Sequence, residues 1–405
     1  MRALSCLFAA VIAAVPLVAQ PLHKLVVISI DGLDHRYLKN AGTLGLHIPN
    51  LRKLMAEGEW ADGVVGVVPT VTWPSHTTMM TGVRPAVHGI LNNRRPESEG
   101  GAYYEEFSLI LVPTLWRAVR SAGGTTAAIT WPSTVGGPFN WVLPVYFRKR
   151  RGGAMDLASI ASKATPGLLD EIANRFPSSP QQWVDDRTRT LATIALLEMH
   201  KPDLLTVHLV DLDSEEHDTQ PFSAASKAIL EYTDELLGRV VAALPPGATL
   251  AVVSDHGFAP VNRTIHLKAA LGGDAGELEL NAGTVCAIDD KAAASLAQAW
   301  RNADLGIGRA IPPAEWKRFL PEHAGCAAAY EPADGVMFGS REAGPVMEPR
   351  HGGEHGLWPG RPNYRSVFLL WKPGMKAKRL PEMSMLEIAP RLAEVIGVRF
   401  TPARE

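Results

Sequence analysis

Lys24-Leu25-Val26-Val27-Ile28-Ser29-Ile30-Asp31-Gly32 is the stretch on which the reading of this 405-residue chain turns. It is short, rich in β-branched residues, unbroken by polar alternation, and it stops at Asp-Gly. A run of that kind suits a strand covered on both faces, as in a parallel sheet flanked by helices. The same form recurs at Thr125–Trp131, Leu204–Val210, Thr249–Ser254 and Ser366–Trp371. Helical patterns lie between these runs, at Asn50–Glu57, Thr114–Ala122, Arg187–Met199, Ala224–Ala243 and Met385–Ile396. Strand alternating with helix predicts an α/β fold with a mostly parallel central sheet and helices on both faces. Residues 259–349 break the rhythm with Gly, Pro and Ala and weaker periodicity, and predict a smaller inserted cap domain. The core would then be 20–258 and 350–405, with a second insertion at about 138–180.

Arg2, the apolar run Ala3–Ala19 and the small-residue end Leu17-Val18-Ala19 have the layout of a signal peptide over residues 1–19. A membrane anchor is the alternative. The expectation is an exported chain, periplasmic or secreted, with no membrane span after residue 19. The net charge of −2 argues against a general nucleic-acid surface, and no duplex binding is expected. Dense cation clusters occur at Arg94-Arg95 and Arg148-Lys149-Arg150-Arg151. The second reads as a solvated loop or as a rim for an anionic substrate. Cys286 and Cys326 lack zinc-finger spacing and are free to pair in an oxidising compartment, though sequence does not show that they meet.

Residues that carry chemistry fall just after strands: Asp31, then Asp213 and His217, then Asp255 and His256. Ligands bind at the carboxyl ends of strands in open α/β sheets. Carboxylates gathered there repel one another unless a cation compensates, and a mixed Asp/His set suits zinc, with manganese or iron as alternatives. Each element also has a plain reading: a strand-end turn for Asp31-Gly32, a helix cap for Asp255-His256, an exposed acidic loop for Asp213–His217. Glu215 and Glu216 read as solvated. Thr72, in Pro69-Thr-Val-Thr72-Trp73-Pro74-Ser75-His76, stands where Pro74 favours a helix start. A hydroxyl there meets free backbone N–H groups suited to phosphate, and a metal would activate it. The plain reading is an N-cap.

Taken in order, these motifs resemble the nucleotide pyrophosphatase/phosphodiesterase branch of the alkaline phosphatase superfamily. Val27–Gly32, Pro69–His76, Thr81-Gly82, His88-Gly89-Ile90, Asn92-Asn93, Asp213-x-x-x-His217-x-x-x-Pro221, Ser254–Gly257 and Glu354-His355-Gly356 carry the likeness. Ser75 and Gln220 depart from common family residues. The resemblance implies an alkaline-phosphatase-like fold and two divalent metal ions, zinc foremost. Asp31, Thr72, Asp255 and His256 would hold one metal, and Asp213, His217 and His355 the other. Thr72 would be the nucleophile of a phosphodiester or pyrophosphate hydrolase acting on a small phosphate ester through a phosphothreonine intermediate. Asn93 and the Thr72 N–H would bind a phosphoryl oxygen, and Trp73 would form an apolar wall against a base, lipid or aryl group, or simply pack in the core. His76 and His351 match no ligand position and read as structural. A phosphomonoesterase, phosphonate hydrolase, phosphomutase or phosphoethanolamine transferase would share these metals; a metal-binding protein without turnover is the rival of another class. The absence of a Cys/Ser-x-Pro-x-Arg motif argues against a sulfatase.

Overall fold

The computed structural model describes residues 22–404 apart from 180, 181, 274, 282 and 322–324. The expected signal peptide, and the anchor that was its alternative, lie outside the described residues. The central sheet is built from β1 (Leu25–Ile30), β2 (Glu59–Ala61), β3 (Thr126–Ile129), β4 (Trp141–Leu143), β5 (Leu204–Leu209), β6 (Thr249–Val253), β7 (Phe368–Trp371) and β8 (Lys378–Leu380). They lie in the order β8-β2-β7-β6-β1-β5-β3-β4. From β6 to β4 every neighbour is parallel, and β7 is antiparallel to both β6 and β2. The fold is α/β and mostly parallel, as the alternation predicts.

β1 sits in the middle, Leu25 opposite Thr249 on one side and Leu204 on the other. All six of its residues are buried, which is why its sequence shows no alternation. Helices Pro49–Glu57, Asp186–Met199 and Ala224–Ala243 pack together as one covering layer. Thr72–Thr81, Leu115–Ser121 and Ile388–Ile396 form the other. Trp116 and Trp131 are fully buried in the main core beside them. Among the described residues no helix is long and apolar enough to cross a membrane.

Two expectations need correction. Trp141–Leu143, read as the start of an insertion, pairs with β3 and belongs to the central sheet. Glu216, read as solvated, is fully buried and accepts a 2.6 Å hydrogen bond from the Tyr37 hydroxyl. The reason is that Asp211–Thr219 is a helix rather than a loop, and its buried residues are Leu212, Asp213 and Glu216.

Between residues 259 and 349 the chain builds a second sheet, with Leu278–Asn281, Thr284–Ala287, Ala328–Pro332 and Ile307–Ile311 side by side. It has its own apolar cluster around Val285, Leu296 and Tyr330. Cys286 and Cys326 form a disulfide there, with Cα atoms 5.7 Å apart. The strand Ala259–Ile265 ties this segment back to Gly353–Glu354, next to the main sheet's site loop.

Candidate metal centre

Three neighbouring strands of the central sheet deliver their following residues to one edge. Asp31 follows β1, Asp255 and His256 follow β6, and the helix Asp211–Thr219 begins just beyond β5. That helix places Asp213 and His217 four residues apart on one face, a spacing at which side chains meet. His217 Nε2 lies 3.5 Å from Asp213 Oδ1, and His355 Nε2 lies 3.7 Å from the same oxygen. On the other side, His256 Nε2 stands 3.4 Å from Asp31 Oδ1 and 3.1 Å from Asp255 Oδ2. The His256 and His355 rings stack, with centroids 3.8 Å apart.

Two donor sets emerge, Asp213–His217–His355 and Asp31–Asp213–His256, with the donor atoms of each within 4.8 Å of one another. Asp213 thus reaches both, whereas the sequence reading gave it to one.

The electrostatics are compatible with bound cations. Asp31 Oδ1, Asp213 Oδ1, Asp255 Oδ2 and His256 Nε2 are buried without a hydrogen-bond partner, in a place where such groups are normally satisfied. Burial, then the neighbouring Asp213, pushes the Asp31 carboxyl well up; burial, then Asp31, does the same to Asp255. Burial also raises Asp213. Burial and the nearby His217 hold His355 down at about 3, and burial with His355 depresses His256. Neutral imidazoles beside carboxylates that resist ionising are what divalent cations relieve. The residues therefore fit metal ligation by the chemistry of the donor set. His217 is oriented for it, since its Nδ1 faces the Gly353 carbonyl at 3.1 Å and leaves Nε2 toward Asp213.

Thr72 is the first residue of the helix Thr72–Thr81, all of whose residues are buried. The helix thus begins two residues before Pro74. Gly82 closes it in the left-handed conformation, φ +70°, and its N–H bonds Thr78 O. Asn93 reaches this helix end, its Oδ1 accepting from the Trp73 N–H at 3.0 Å. Trp73 is buried and packs on Tyr103 with centroids 4.6 Å apart. Thr72, Trp73 and Asn93 share one cavity of about 110 Å³ with Asp31, Asp213, His217 and His355. Volume alone does not single it out: a hollow of about 310 Å³ beside Arg36 and Arg361 is larger. Those two cations, however, are paired with Asp34 and Asp334.

His76 is fully buried, its Nδ1 facing the Thr72 carbonyl at 2.8 Å, and His351 is exposed; neither falls in the two donor sets. The sequence reading missed His208. It lies in β5, its Nε2 2.8 Å from Asp31 Oδ2 and its Nδ1 3.1 Å from the Thr130 carbonyl, so it braces Asp31 from behind. A lone histidine inside the apolar run Leu204–Leu209 was the available signal.

Asp/His donor sets that could hold metal ions thus lie at the carboxyl edge of a mostly parallel α/β sheet, in one cavity with a threonine at a helix N-terminus. Residues 25–306 match the model of the type I phosphodiesterase/nucleotide pyrophosphatase family, and the chain belongs to that family. Ectonucleotide pyrophosphatase/phosphodiesterase family member 3 of Rattus norvegicus is 25% identical over 255 residues, covering 58% of this chain and 25% of the relative. Venom phosphodiesterase of Naja atra is 23% identical over 255 residues, covering 59% and 26%. The chain thus spans about a quarter of the length of these curated relatives. The solved structure of murine ectonucleotide pyrophosphatase/phosphodiesterase 5 superposes with a TM-score of 0.64 at 18% identity, covering 94% of this chain and 97% of that one. The human counterpart gives 0.66, also at 18%, covering 94% and 96%. The fold is shared with these proteins.

Proposed function

We propose that this chain hydrolyses phosphodiester or pyrophosphate bonds of small, nucleotide-like esters through a covalent phosphothreonine intermediate on Thr72. The observation that carries the reading is the single cavity in which Thr72, Asn93 and the ligand-type residues Asp31, Asp213, His217 and His355 meet. Asp31, Asp255, His256 and Thr72 would hold one divalent cation, and Asp213, His217 and His355 a second, zinc being the best match to the donors. When bound, such cations would supply Lewis acidity and offset negative charge at the phosphoryl group.

The chain's own groups do the rest. Thr72 Oγ gives up its proton to solvent and forms the new bond to phosphorus while the bond to the leaving oxygen breaks on the opposite face, that oxygen departing with the bonding pair. Water then cleaves the Thr72 ester and returns the hydroxyl. Asn93, its carbonyl held by Trp73, turns its NH2 toward a phosphoryl oxygen, and the Thr72 N–H adds a fixed donor, since the Trp73 and Ser75 N–H groups are already bonded and Pro74 has none. The Trp73–Tyr103 pair offers an aromatic wall for a base or aryl group.

A solved structure of the murine relative, described as an inactive threonine-to-alanine variant in complex with AMP, shows that a protein of this fold takes a nucleotide, which supports the reading. Residues 259–349 would act as a cap over the site, and the Cys286–Cys326 disulfide suits an exported protein.

The test is the zinc-loaded protein against p-nitrophenyl thymidine monophosphate, bis-p-nitrophenyl phosphate and p-nitrophenyl phosphate. The reading expects preference for the two diesters, abolished by chelator. Preference for the monoester, or no hydrolysis of any, would overturn it.

A further inference from the structure

Of the four cations in Arg148–Arg151, one is turned into the reaction cavity. Arg148 is tied to Glu105 at 3.0 Å, and its backbone N–H, with that of Lys149, is held by the Asp156 carboxylate. Arg150 instead lines the cavity with Asp213 and His217. It makes no ion pair among the described residues. Its hydrogen bond is a long one, 3.4 Å to Ser214 Oγ, and its guanidinium lies 5.6 Å from the Phe147 ring centre.

The position of Arg150 is built, not incidental. Arg150–Arg151 pairs with Ala154–Asp156, Arg150 opposite Met155, across a turn in which Gly152 has φ +55°. Gly153 packs so tightly on the start of the Asp211–Thr219 helix that a Cβ would come within 2.9 Å of Asp211 Cα. The buried Arg189 donates to the Gly153 carbonyl at 2.9 Å while pairing with Asp186 at 2.7 Å. Asp186 in turn accepts from the Val210 and Asp211 N–H groups. One buried network thus fixes the hairpin to the helix that carries Asp213, Ser214 and His217.

We infer that Arg150 is a specificity-determining residue that binds negative charge on the leaving group, so that the site favours esters whose leaving group is itself a phosphate. This rests on the proposed hydrolysis by Thr72. In-line displacement expels the leaving atom opposite the nucleophile. Asn93 binds at the Thr72–Trp73 end, whereas Arg150 touches Ser214, beside the Asp213–His217 end. A guanidinium that no carboxylate contacts directly, though its charge is felt by Asp31 and Asp213, makes charge-assisted and bidentate hydrogen bonds to a phosphate there that an aryl or alkyl leaving group does not offer.

The experiment compares wild type, Arg150→Ala and Arg150→Lys, all zinc-loaded, on ATP, p-nitrophenyl thymidine monophosphate and p-nitrophenyl phosphate. Arg150→Ala is expected to lower the kcat/KM ratio of ATP over the thymidine ester by ~10- to 100-fold, the scale of a hydrogen bond to a charged group. Arg150→Lys should restore part of that ratio, since it keeps the charge but loses the fork. An unchanged ratio overturns the inference. So does a loss confined to p-nitrophenyl phosphate, which would put Arg150 on the transferred phosphoryl group instead. Because Arg150 is exposed, its replacement leaves the core intact. A binding measurement separates this inference from the turnover claim. In a Thr72→Ala background, Arg150→Ala should weaken calorimetric binding of inorganic pyrophosphate ~10-fold or more. That result would stand even if wild type proved not to hydrolyse diesters, and unchanged binding would refute the Arg150 role by itself.

Discussion

The Trp73 backbone N–H donates to Asn93 Oδ1 at 3.0 Å, which commits the Asn93 carbonyl to the protein and leaves its NH2 for the cavity. The two residues are 20 positions apart, and this bond makes them one device at the mouth of the Thr72 helix. Asn93→Ala is expected to lower kcat by ~100- to 1000-fold, the range for losing one donor to a developing oxyanion. Asn93→Asp keeps the acceptor for Trp73 but points negative charge at phosphate, and should be at least as damaging. Steady-state kinetics on p-nitrophenyl thymidine monophosphate decide it; a change confined to KM would mean that Asn93 only binds.

Removal of metal should abolish turnover and also lower the melting temperature. Ions that bind the folded state alone stabilise it by mass action, and here they would relieve the orphaned oxygens of Asp31, Asp213 and Asp255. Calorimetry before and after chelation, then with zinc restored, checks this. Full activity in protein shown to be metal-free would contradict it.

His88 gives a pH prediction away from the ligands. It is fully buried, with Nδ1 accepting from the Ile90 N–H at 3.1 Å and Nε2 facing Thr78 Oγ at 3.1 Å. Burial pushes it down to about 3 from an ordinary 6.5. The unfolded chain therefore takes up this proton first as pH falls. The stability associated with neutral His88 is complete above about pH 6.5 and is lost toward pH 3, by at most ~1.4 kcal/mol per pH unit. Urea unfolding between pH 7 and about pH 4 should show a shallower slope of stability against pH in His88→Gln than in wild type. Equal slopes would contradict the assignment.

Glu216 is a structural carboxyl beside the site. Burial pushes it well up and favours its neutral form, and its Oε1 accepts from the Tyr37 hydroxyl, which itself receives the Phe222 N–H at 2.7 Å. Glu216→Ala should cost ~1–3 kcal/mol through the lost buried hydrogen bond. Glu216→Gln retains an acceptor and should cost less. Chemical denaturation measures both, and equal costs would mean that the Tyr37 bond contributes nothing.

The strands were legible because a sheet covered on both faces leaves unbroken apolar runs: Leu25–Ile30 and Thr249–Val253 differ from their sequence readings by a residue at an end. The family motifs located the residues that converge at the sheet edge. The Asp211–Thr219 helix was not legible, because it is polar along its length and is held by a few buried contacts, among them Glu216. Glu216 lies three residues past Asp213 on that helix, a spacing that reads as a shared face only once the helix is known. His208 escaped because it acts from within a strand, on Asp31 rather than on substrate. Arg150 appeared in a basic run whose two readings, solvated loop and anion rim, depend on which way each side chain turns, and that is fixed by Gly153 in the same hairpin and by Arg189, remote in sequence.

The most direct test of the account is acid-quenched mass spectrometry of the zinc-loaded protein during turnover of p-nitrophenyl thymidine monophosphate. The account predicts a covalent thymidylate adduct on the peptide containing Thr72, absent from Thr72→Ala, with turnover of that variant at least ~100-fold lower. Steady turnover with no adduct on that peptide, together with wild-type rates in Thr72→Ala, would contradict it.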